Sequence, residues 1–586
     1  MCGILAYISP KEPDLFQFKK ALSTLDKRGP DNTSYIQKTS NGHYILLGHT
    51  RLKIIDLSDS ANQPFRVGGV YLVYNGEIYN YKIIRKTLKS RGVQFYTQSD
   101  TEVLAKAYQH LGMERTLDSL MGMFAFCLID LDLKQVHIVR DHCGIKPLYY
   151  WFDGESLVAA SEVKALLPLL NRSPEIEEEA LAQFFYHRYI PEPQTIYRDI
   201  YAVDAGEWLT LDLRNTSRLK RNRYWVLSAE SIIQDEHDAV DRIDELLNES
   251  IELHLISDVP LAVAFSGGLD SSLLMAIGRE YKQDLVGFTI ERGDDNLDLI
   301  YSRRVADYLG TEQITVPFHK IDPLHEDSGI FSYYDQPIAC SSIFSTYLLF
   351  KEMSKHFTVS LSGDGGDEIF GGYNWYLRHM NLLYLKRGKL RKISFRGLGG
   401  VRVLWEDLRR YRRCETSMMY KRILLDRFQR QEIEQILQLK TNIEADDLVK
   451  KFRPEVETVK DAMFVDFHTF LRYALRRADF SSMMHSMENR VPYLNHKLVE
   501  FVFSVDHELF VKRGQPKYLL KKVAERYLPK KLIYRPKRGF TVPIVNYLPV
   551  KTGPEFMRFI LEKWLNTQHG SFNNSTDIRP FKKVAS

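Results

Sequence analysis

Cysteine is scarce in this sequence: five among 586 residues, at positions 2, 127, 143, 340 and 414. No two stand in CxxC spacing, so neither a disulfide framework nor a structural zinc site is expected, and a reducing cytosol fits best. No apolar run reaches the roughly 18 residues that a membrane span requires. The run GILAYI near the start is too short for a signal peptide, and no basic stretch precedes it. Net charge is only +5, which does not call for nucleic acid as a partner. The basic stretch 386–413 reads as a solvated surface segment, because no nucleic-acid motif accompanies its aromatics. Repeats and long low-complexity tracts are lacking as well.

What is present divides into two parts, as the length suggests. Residues 2–210 read as short β-prone runs separated by turns, with helices near 79–91 and 101–112. This is the pattern of a layered α+β domain. The polar stretch DLRNTSRLKRNRYW, 212–225, reads as a linker. From about 235 the character changes. EHDAVDRIDELLNESIELHLI places Val240, Ile243, Leu247 and Ile251 on one helix face. VPLAVAF has the uninterrupted apolar character of a buried parallel strand. LVGFTI and FTVSL follow, alternating with helical segments, so 235–567 is expected to hold a doubly wound α/β core with a helical C-terminal part. Residues 568–586 read as a polar tail.

Chemistry is most legible in the second part. AFSGGLDSSLL is strand, glycine loop, then helix. Gly267 and Gly268 let backbone approach a ligand closely. Ser266, Ser271 and Ser272 offer hydroxyls, and the helix start favours an anion. This is a phosphate cradle without the GK[ST] ending of a Walker loop. SLSGDGGDEIF repeats the design with Ser362, Gly363, Asp364 and Asp367. Carboxylates in a phosphate cradle repel phosphate unless a cation intervenes. Asp270 and Asp367 are therefore expected to hold Mg²⁺, which takes one or two carboxylates plus phosphate oxygens.

SGGLDSS after a buried strand resembles the PP-loop of ATP pyrophosphatases. Its pairing with LSGDGGDE, RPKRGFTVP and NRVPYLNHKLVEF resembles the asparagine synthetase family. The opening Cys-Gly-Ile resembles class II glutamine amidotransferases. The likeness continues in RGPD at 28–31, GHTRLKIIDLS at 48–58, QPF at 63–65, YNGEIYN at 74–80, SDTEVL at 99–104, RDHCGIKPLYY at 140–150 and ASEVKALL at 160–167. The resemblance implies a four-layer α-β-β-α N-terminal-nucleophile domain followed by a PP-loop synthetase domain. It implies glutamine, ATP and a carboxylate acceptor as substrates, with Mg²⁺. A homodimer is left open; no membrane is expected.

Site residues follow motif by motif. Removal of Met1 would leave Cys2 with an amine beside its own thiol. A free thiol has pKa ~8.5 and an α-amine ~7.7–8, so near neutral pH that amine can take the thiol proton. The family motifs give Arg51 the glutamine carboxylate, Asp100 the ammonium, and Glu77 the ammonium or amide. They make Asn75 and Gly76 an oxyanion hole. In the second part they give Lys537 the α-phosphate or the adenylated intermediate and Asp364 a role in forming that intermediate. Phe265 and Ile290 would lie near adenine, and Ser362 and Gly363 would meet the nucleotide.

The expected reaction is glutamine-dependent amidation of a carboxylate through an acyl-adenylate, with aspartate as the first acceptor. The alternatives are the same chemistry on a sugar uronate or peptide, and a catalytically silent scaffold subunit. Four places depart from the family pattern in or near the acceptor half-site: Cys340, Phe480, Asn495, and the pair Leu297 and Asp298.

Overall fold

The computed structural model describes residues 2–569 apart from 171–173, 292–296, 319–326, 390–392, 394–404, 407, 410–413, 426–427, 429, 438–439, 513 and 535–552. Along the first strand, Gly3–Ser9, side chains alternate between two apolar clusters. Ile4, Ala6 and Ile8 enter one, and Leu5 and Tyr7 the other. Successive strand side chains point to opposite faces, so this strand is covered on both sides.

It lies inside a six-stranded antiparallel sheet, between Leu157–Ala160 and His43–Arg51. A second six-stranded antiparallel sheet has Val70–Ile78, Gly122–Asp130 and Gln135–Arg140 at its centre. Ile4, Leu47, Val73, Cys127 and Ile138 fill the space between the sheets. Phe18 and Leu22 of the helix Leu15–Ser23 cover the outer face of the first sheet. The helices Tyr81–Ser90 and Asp100–Leu111 cover the second through Ile84, Leu88, Val103 and Leu104. The order is α-β-β-α, as the family resemblance implied.

The stretch expected as a linker is instead an edge strand. Asn215–Arg223 pairs antiparallel with Glu207–Asp212. Its residues are half-buried or exposed throughout, and an edge strand can carry that much charge. Leu219 packs against the inter-sheet core, and Arg221 Nε donates to Glu207 Oε1 at 2.8 Å. A polar composition hid this strand because only one side chain is needed to anchor it.

The second part begins with the expected amphipathic helix, Glu236–His254, which buries Val240, Ile243, Leu247 and Ile251. Asp235 caps it by accepting from the Asp238 N–H at 2.9 Å. Five strands form a parallel sheet in the spatial order Gln313–Pro317, Val286–Glu291, Leu261–Ala264, Val359–Leu361, Glu488–Arg490. The chain moves outward in one direction for three strands, then returns to the other side of Leu261–Ala264. That reversal is a topological switch point, where ligands of such sheets bind at the carboxyl ends of the strands. The strand Glu488–Arg490 interrupts a region expected to be helical. Among the described residues, no helix is long and apolar enough to cross a membrane.

The two parts meet through buried charge. Arg28 is fully buried; its Nη1 donates to Glu162 at 2.9 Å and to Asp479 of the helix Phe470–Met483 at 2.8 Å. Its Nε donates to the carbonyl of Cys2 at 3.1 Å. Removing one member of a buried ion cluster leaves the others uncompensated. Arg28→Met should therefore lower unfolding stability by about 3–5 kcal/mol, read by urea denaturation. A loss below ~1 kcal/mol would mean that the cluster contributes no more than a surface pair.

Candidate active site

Cys2 is 8 % exposed, at the start of the first strand. Its backbone nitrogen donates to Asn75 Oδ1 at 2.9 Å, which turns the Asn75 amide so that Nδ2 remains buried without a hydrogen-bond partner. An orphaned donor beside a thiol suits a developing oxyanion. Burial pushes the Cys2 thiol above its ordinary value, while Arg51 and the Leu52 backbone pull it down. A thiol held protonated in this way needs a base close by before it can act.

The strand Val70–Ile78 is braced just ahead of Asn75. Gln63 accepts from the Tyr74 N–H at 2.6 Å and returns a bond to the Tyr74 carbonyl at 3.2 Å. Burial lowers His49 to about 3, so its ring is neutral; Nε2 lies 3.1 Å from the same carbonyl and donates to it. Gly76 has φ +149°, and a Cβ there would lie 2.0 Å from the Met123 carbonyl oxygen. No other residue fits.

Glu77 and Asp100 are both buried. Glu77 Oε2 has no hydrogen-bond partner. Burial and the neighbouring Glu488 hold the Glu77 carboxyl well above the usual range, against Arg490. Asp100, raised by burial, accepts from Tyr74 Oη at 2.8 Å and from the Ile78 N–H at 3.1 Å. The structure thus brings Cys2, Asn75, Gly76, Glu77 and Asp100 together. Arg51 is close, but its guanidinium is engaged by the loop that follows it. Nη1 donates to the Ser58 carbonyl and to Asn62 Oδ1, each at 2.7 Å, and Nη2 donates to the Asp56 carbonyl.

The glycine loops leave adjacent strands of the parallel sheet at the switch point. They touch: a Cβ on Gly363 would lie 2.9 Å from Asp270 Cβ, and one on Gly366 would lie 3.0 Å from Asp270 Oδ1. Gly267 has φ +66°, a conformation glycine adopts at low cost. Ser266 Oγ accepts from the Gly268 N–H at 3.3 Å and lies 3.2 Å from Ser271 Oγ. Ser272 Oγ is buried with no hydrogen-bond partner. Ser362 Oγ donates to Asp364 Oδ2 at 2.7 Å. The side chains of Phe265 and Ile290 are packed in the core, so only their backbone is available to a nucleotide. Lys537 lies outside the described residues.

Lys517 was not singled out in the sequence, yet its ammonium stands between the two loops. Nζ is 2.5 Å from both Asp270 oxygens and 2.6 Å from Asp367 Oδ1. Burial alone would lower the amine, but the two carboxylates outweigh it and hold it above its ordinary value. Lys517 has φ +55° at the N-cap of the helix Tyr518–Ala524. The words around it, GQPKYLL, carry no motif that could have announced it. Arg477 was missed too. Its Nη1 donates to Ser342 Oγ at 2.6 Å, and Nη2 lies 3.5 Å from Asp364 Oδ1.

The departures from the family pattern have separate local roles. Phe480 is 1 % exposed and stacks on Tyr334 with ring centroids 5.5 Å apart. Asn495 caps the helix His496–Ser504, accepting from the Lys497 N–H at 3.1 Å. Asp298 is buried in the first turn of the helix Leu297–Leu309, where a carboxylate meets the helix dipole favourably. Cys340 stands apart from these. Its Sγ lies 2.9 Å from Ser342 Oγ, and although burial opposes it, Arg477 holds the thiol below its ordinary value.

Comparison with known proteins agrees with both halves of this geometry. Residues 1–225 match a family model described as a glutamine amidotransferase domain, and residues 242–581 match one described as asparagine synthase. Asparagine synthetase [glutamine-hydrolyzing] 1 of Bacillus subtilis is 32 % identical over 92 % of this chain and 85 % of its own length. Asparagine synthetase [glutamine-hydrolyzing] 3 of the same organism is 29 % identical over 97 % of this chain and 90 % of its own. Asparagine synthetase B of Escherichia coli is 30 % identical over 67 % of this chain and 68 % of its own. With its first part matched to a glutamine amidotransferase domain and its second matched along nearly its whole length to asparagine synthase, the chain belongs to the asparagine synthetase family.

Proposed function

We propose that this chain transfers the amide nitrogen of glutamine to aspartate, forming asparagine and glutamate while ATP becomes AMP and pyrophosphate. The observation that carries this reading is the presence in one chain of two complementary sites. One has a buried cysteine bonded through its backbone nitrogen to Asn75, whose amide donor is orphaned, with the buried carboxylates of Glu77 and Asp100 on neighbouring elements. The other has two glycine loops, two carboxylates and an ammonium at a sheet switch point. The halves divide between Arg223, the end of the edge strand, and Asp235, the next helix cap. A reducing cytosol suits a chemistry that needs Cys2 as a free thiol.

In the first site the α-amine of Cys2 takes the thiol proton, and the sulfur attacks the amide carbon of glutamine. Asn75 Nδ2 and the Gly76 N–H stabilise the oxyanion. Collapse of the tetrahedral adduct expels ammonia and leaves a thioester, which water hydrolyses to glutamate. Glu77 and Asp100 hold the substrate's ammonium. Asn75→Ala should lower kcat by ~10²–10³ with little change in KM, the scale of one lost oxyanion donor. An unchanged kcat in steady-state glutaminase assays would remove Asn75 from the hole.

In the second site an oxygen of the acceptor carboxylate attacks the α-phosphorus, and pyrophosphate leaves. Ammonia then attacks the acyl carbon, and AMP leaves. Asp270 and Asp367 converge on one point within 2.6 Å of each. An oxygen donor pair of this kind fits Mg²⁺. When bound there, Mg²⁺ would neutralise charge on the pyrophosphate. Lys517 is placed to pass from these carboxylates to the phosphates as the nucleotide enters, offsetting the charge that grows on phosphorus oxygens. Lys537 takes the same office by family resemblance.

Asp367→Asn should cost the ATP-dependent half-reaction several kcal/mol of barrier, on the order of lost metal charge stabilisation, and leave glutaminase turnover in place. Pyrophosphate release that matches the unsubstituted chain would reject the assignment. The reading as a whole is tested by supplying glutamine, Mg-ATP and a panel of carboxylic acids and weighing the product. Asparagine, with pyrophosphate release dependent on aspartate, is expected. Amidation of another acid in its place would overturn it.

A further inference from the structure

The strand Glu488–Arg490 is the outermost of the parallel sheet, yet all three of its residues are at most 4 % exposed. The helix Phe470–Met483 packs on it from its own half, and Glu77 and Tyr79 of the glutaminase half meet it at Arg490. Arg490 Nε donates to Glu488 Oε1 at 2.6 Å. Its Nη1 donates to the carbonyls of His254 at 2.7 Å and Ile256 at 2.6 Å. These bonds fix the guanidinium plane. They leave Nη2 buried without a hydrogen-bond partner and 3.6 Å from Glu77 Oε1. Glu77 Oε2 is likewise unpartnered. One carboxylate oxygen thus faces a fixed cation, and the other is left for a ligand.

The middle residue of the strand faces the other way, as alternation requires. Asn489 Nδ2 donates to Ser362 Oγ at 3.0 Å, and Ser360 Oγ donates to Asn489 Oδ1 at 2.9 Å. Ser362 in turn donates to Asp364 in the second nucleotide loop. Three consecutive residues therefore touch both sites.

We propose that Arg490, carried by the synthetase half, is a positioning residue of the glutaminase site, orienting Glu77 toward the ammonium of glutamine from across the domain boundary. This rests on Glu77 belonging to the glutamine site. The glutaminase half alone would then be an incomplete glutamine binder. The groups facing Glu77 are Glu488 and Arg490 from this strand, Asp100 from the helix beside it, and Tyr74 and Tyr79 from its own segment. Burial and Glu488 disfavour the ionised carboxylate, and Arg490 favours it. Glutamine's ammonium binds the ionised form, so activity has an acid limb set by Glu77.

The test uses the full chain and the pH dependence of kcat/KM for glutamine. Arg490→Met should move the acid limb to higher pH and raise KM ~10-fold or more, while ammonia-driven synthesis continues. Glu488→Gln keeps an acceptor for Arg490 Nε and removes the like charge, so the limb should move to lower pH. Mere loosening of the fold would not produce opposite shifts. Limbs that stay put, or that move the same way in both variants, overturn the inference. If Arg490→Met does not fold, Glu488→Gln decides alone: a limb that fails to move down overturns it. Glu77→Gln separates the two levels. If it leaves glutamine KM unchanged, the glutamine site itself has been misplaced. If it impairs binding while Arg490→Met and Glu488→Gln change nothing, only the positioning role is lost.

Discussion

Replacing Cys2 with alanine should abolish glutamine hydrolysis, by ~10⁴-fold or more, and leave synthesis from ammonia intact. The thiol is the strongest nucleophile this geometry offers to glutamine among the described residues. Its burial keeps it protonated, so its base must be immediately at hand. The α-amine exposed by removing Met1 meets that need. Mass measurement of the active protein should accordingly find Met1 absent. The synthetase half keeps its loops, carboxylates and Lys517 in this variant, and supplied ammonia bypasses the missing step. Loss of both activities in a folded Cys2→Ala protein would contradict two separable sites. Retained glutaminase activity would remove Cys2 from catalysis.

Lys517→Met should lower ATP-dependent synthesis by ~10²–10³, on the scale of one lost electrostatic donor, with glutamine hydrolysis preserved. In the resting chain the ammonium neutralises Asp270 and Asp367 at 2.5–2.6 Å. Without it, two partly exposed carboxylates stand together with no ammonium between them. No ammonium then passes to the phosphates, and the charge that grows on phosphorus oxygens is left without that donor. Lys517→Arg keeps the charge but not the compact reach of an ammonium, and should fall between. Lys537→Met should reduce turnover by ~10² or more, as its motif resemblance implies, with little change in ATP KM. Pyrophosphate exchange and steady-state synthesis would measure both. Normal synthesis in Lys517→Met would reduce its contacts to a structural ion pair. Normal synthesis in Lys537→Met would leave the match at RPKRGF without a role in synthesis.

Much of this molecule was legible as words in the chain. Alternation of apolar residues marked the first strands, and a 3.6-residue stripe marked the helix Glu236–His254. Both glycine loops were found because strand, glycine and helix follow one another within a dozen residues. The edge strand Asn215–Arg223 escaped because its burial is too slight to leave a pattern. Glu488–Arg490 escaped for the opposite reason. It is a three-residue strand with two charges, buried in the core, and charge in a short run reads as surface.

By itself the sequence determined the class of each half and where the two glycine loops stand along the chain, because motifs of residues close along the chain carry both. Tertiary structure alone decided what completes them. Parallel pairing of Leu261–Ala264 with Val359–Leu361 set the two loops against each other. Lys517 reached Asp270 across 247 residues of chain, and Arg490 reached Glu77 from the other half of the molecule. A buried charge is tolerated only where opposite charge meets it, and which residues meet is a property of packing that no local stretch encodes.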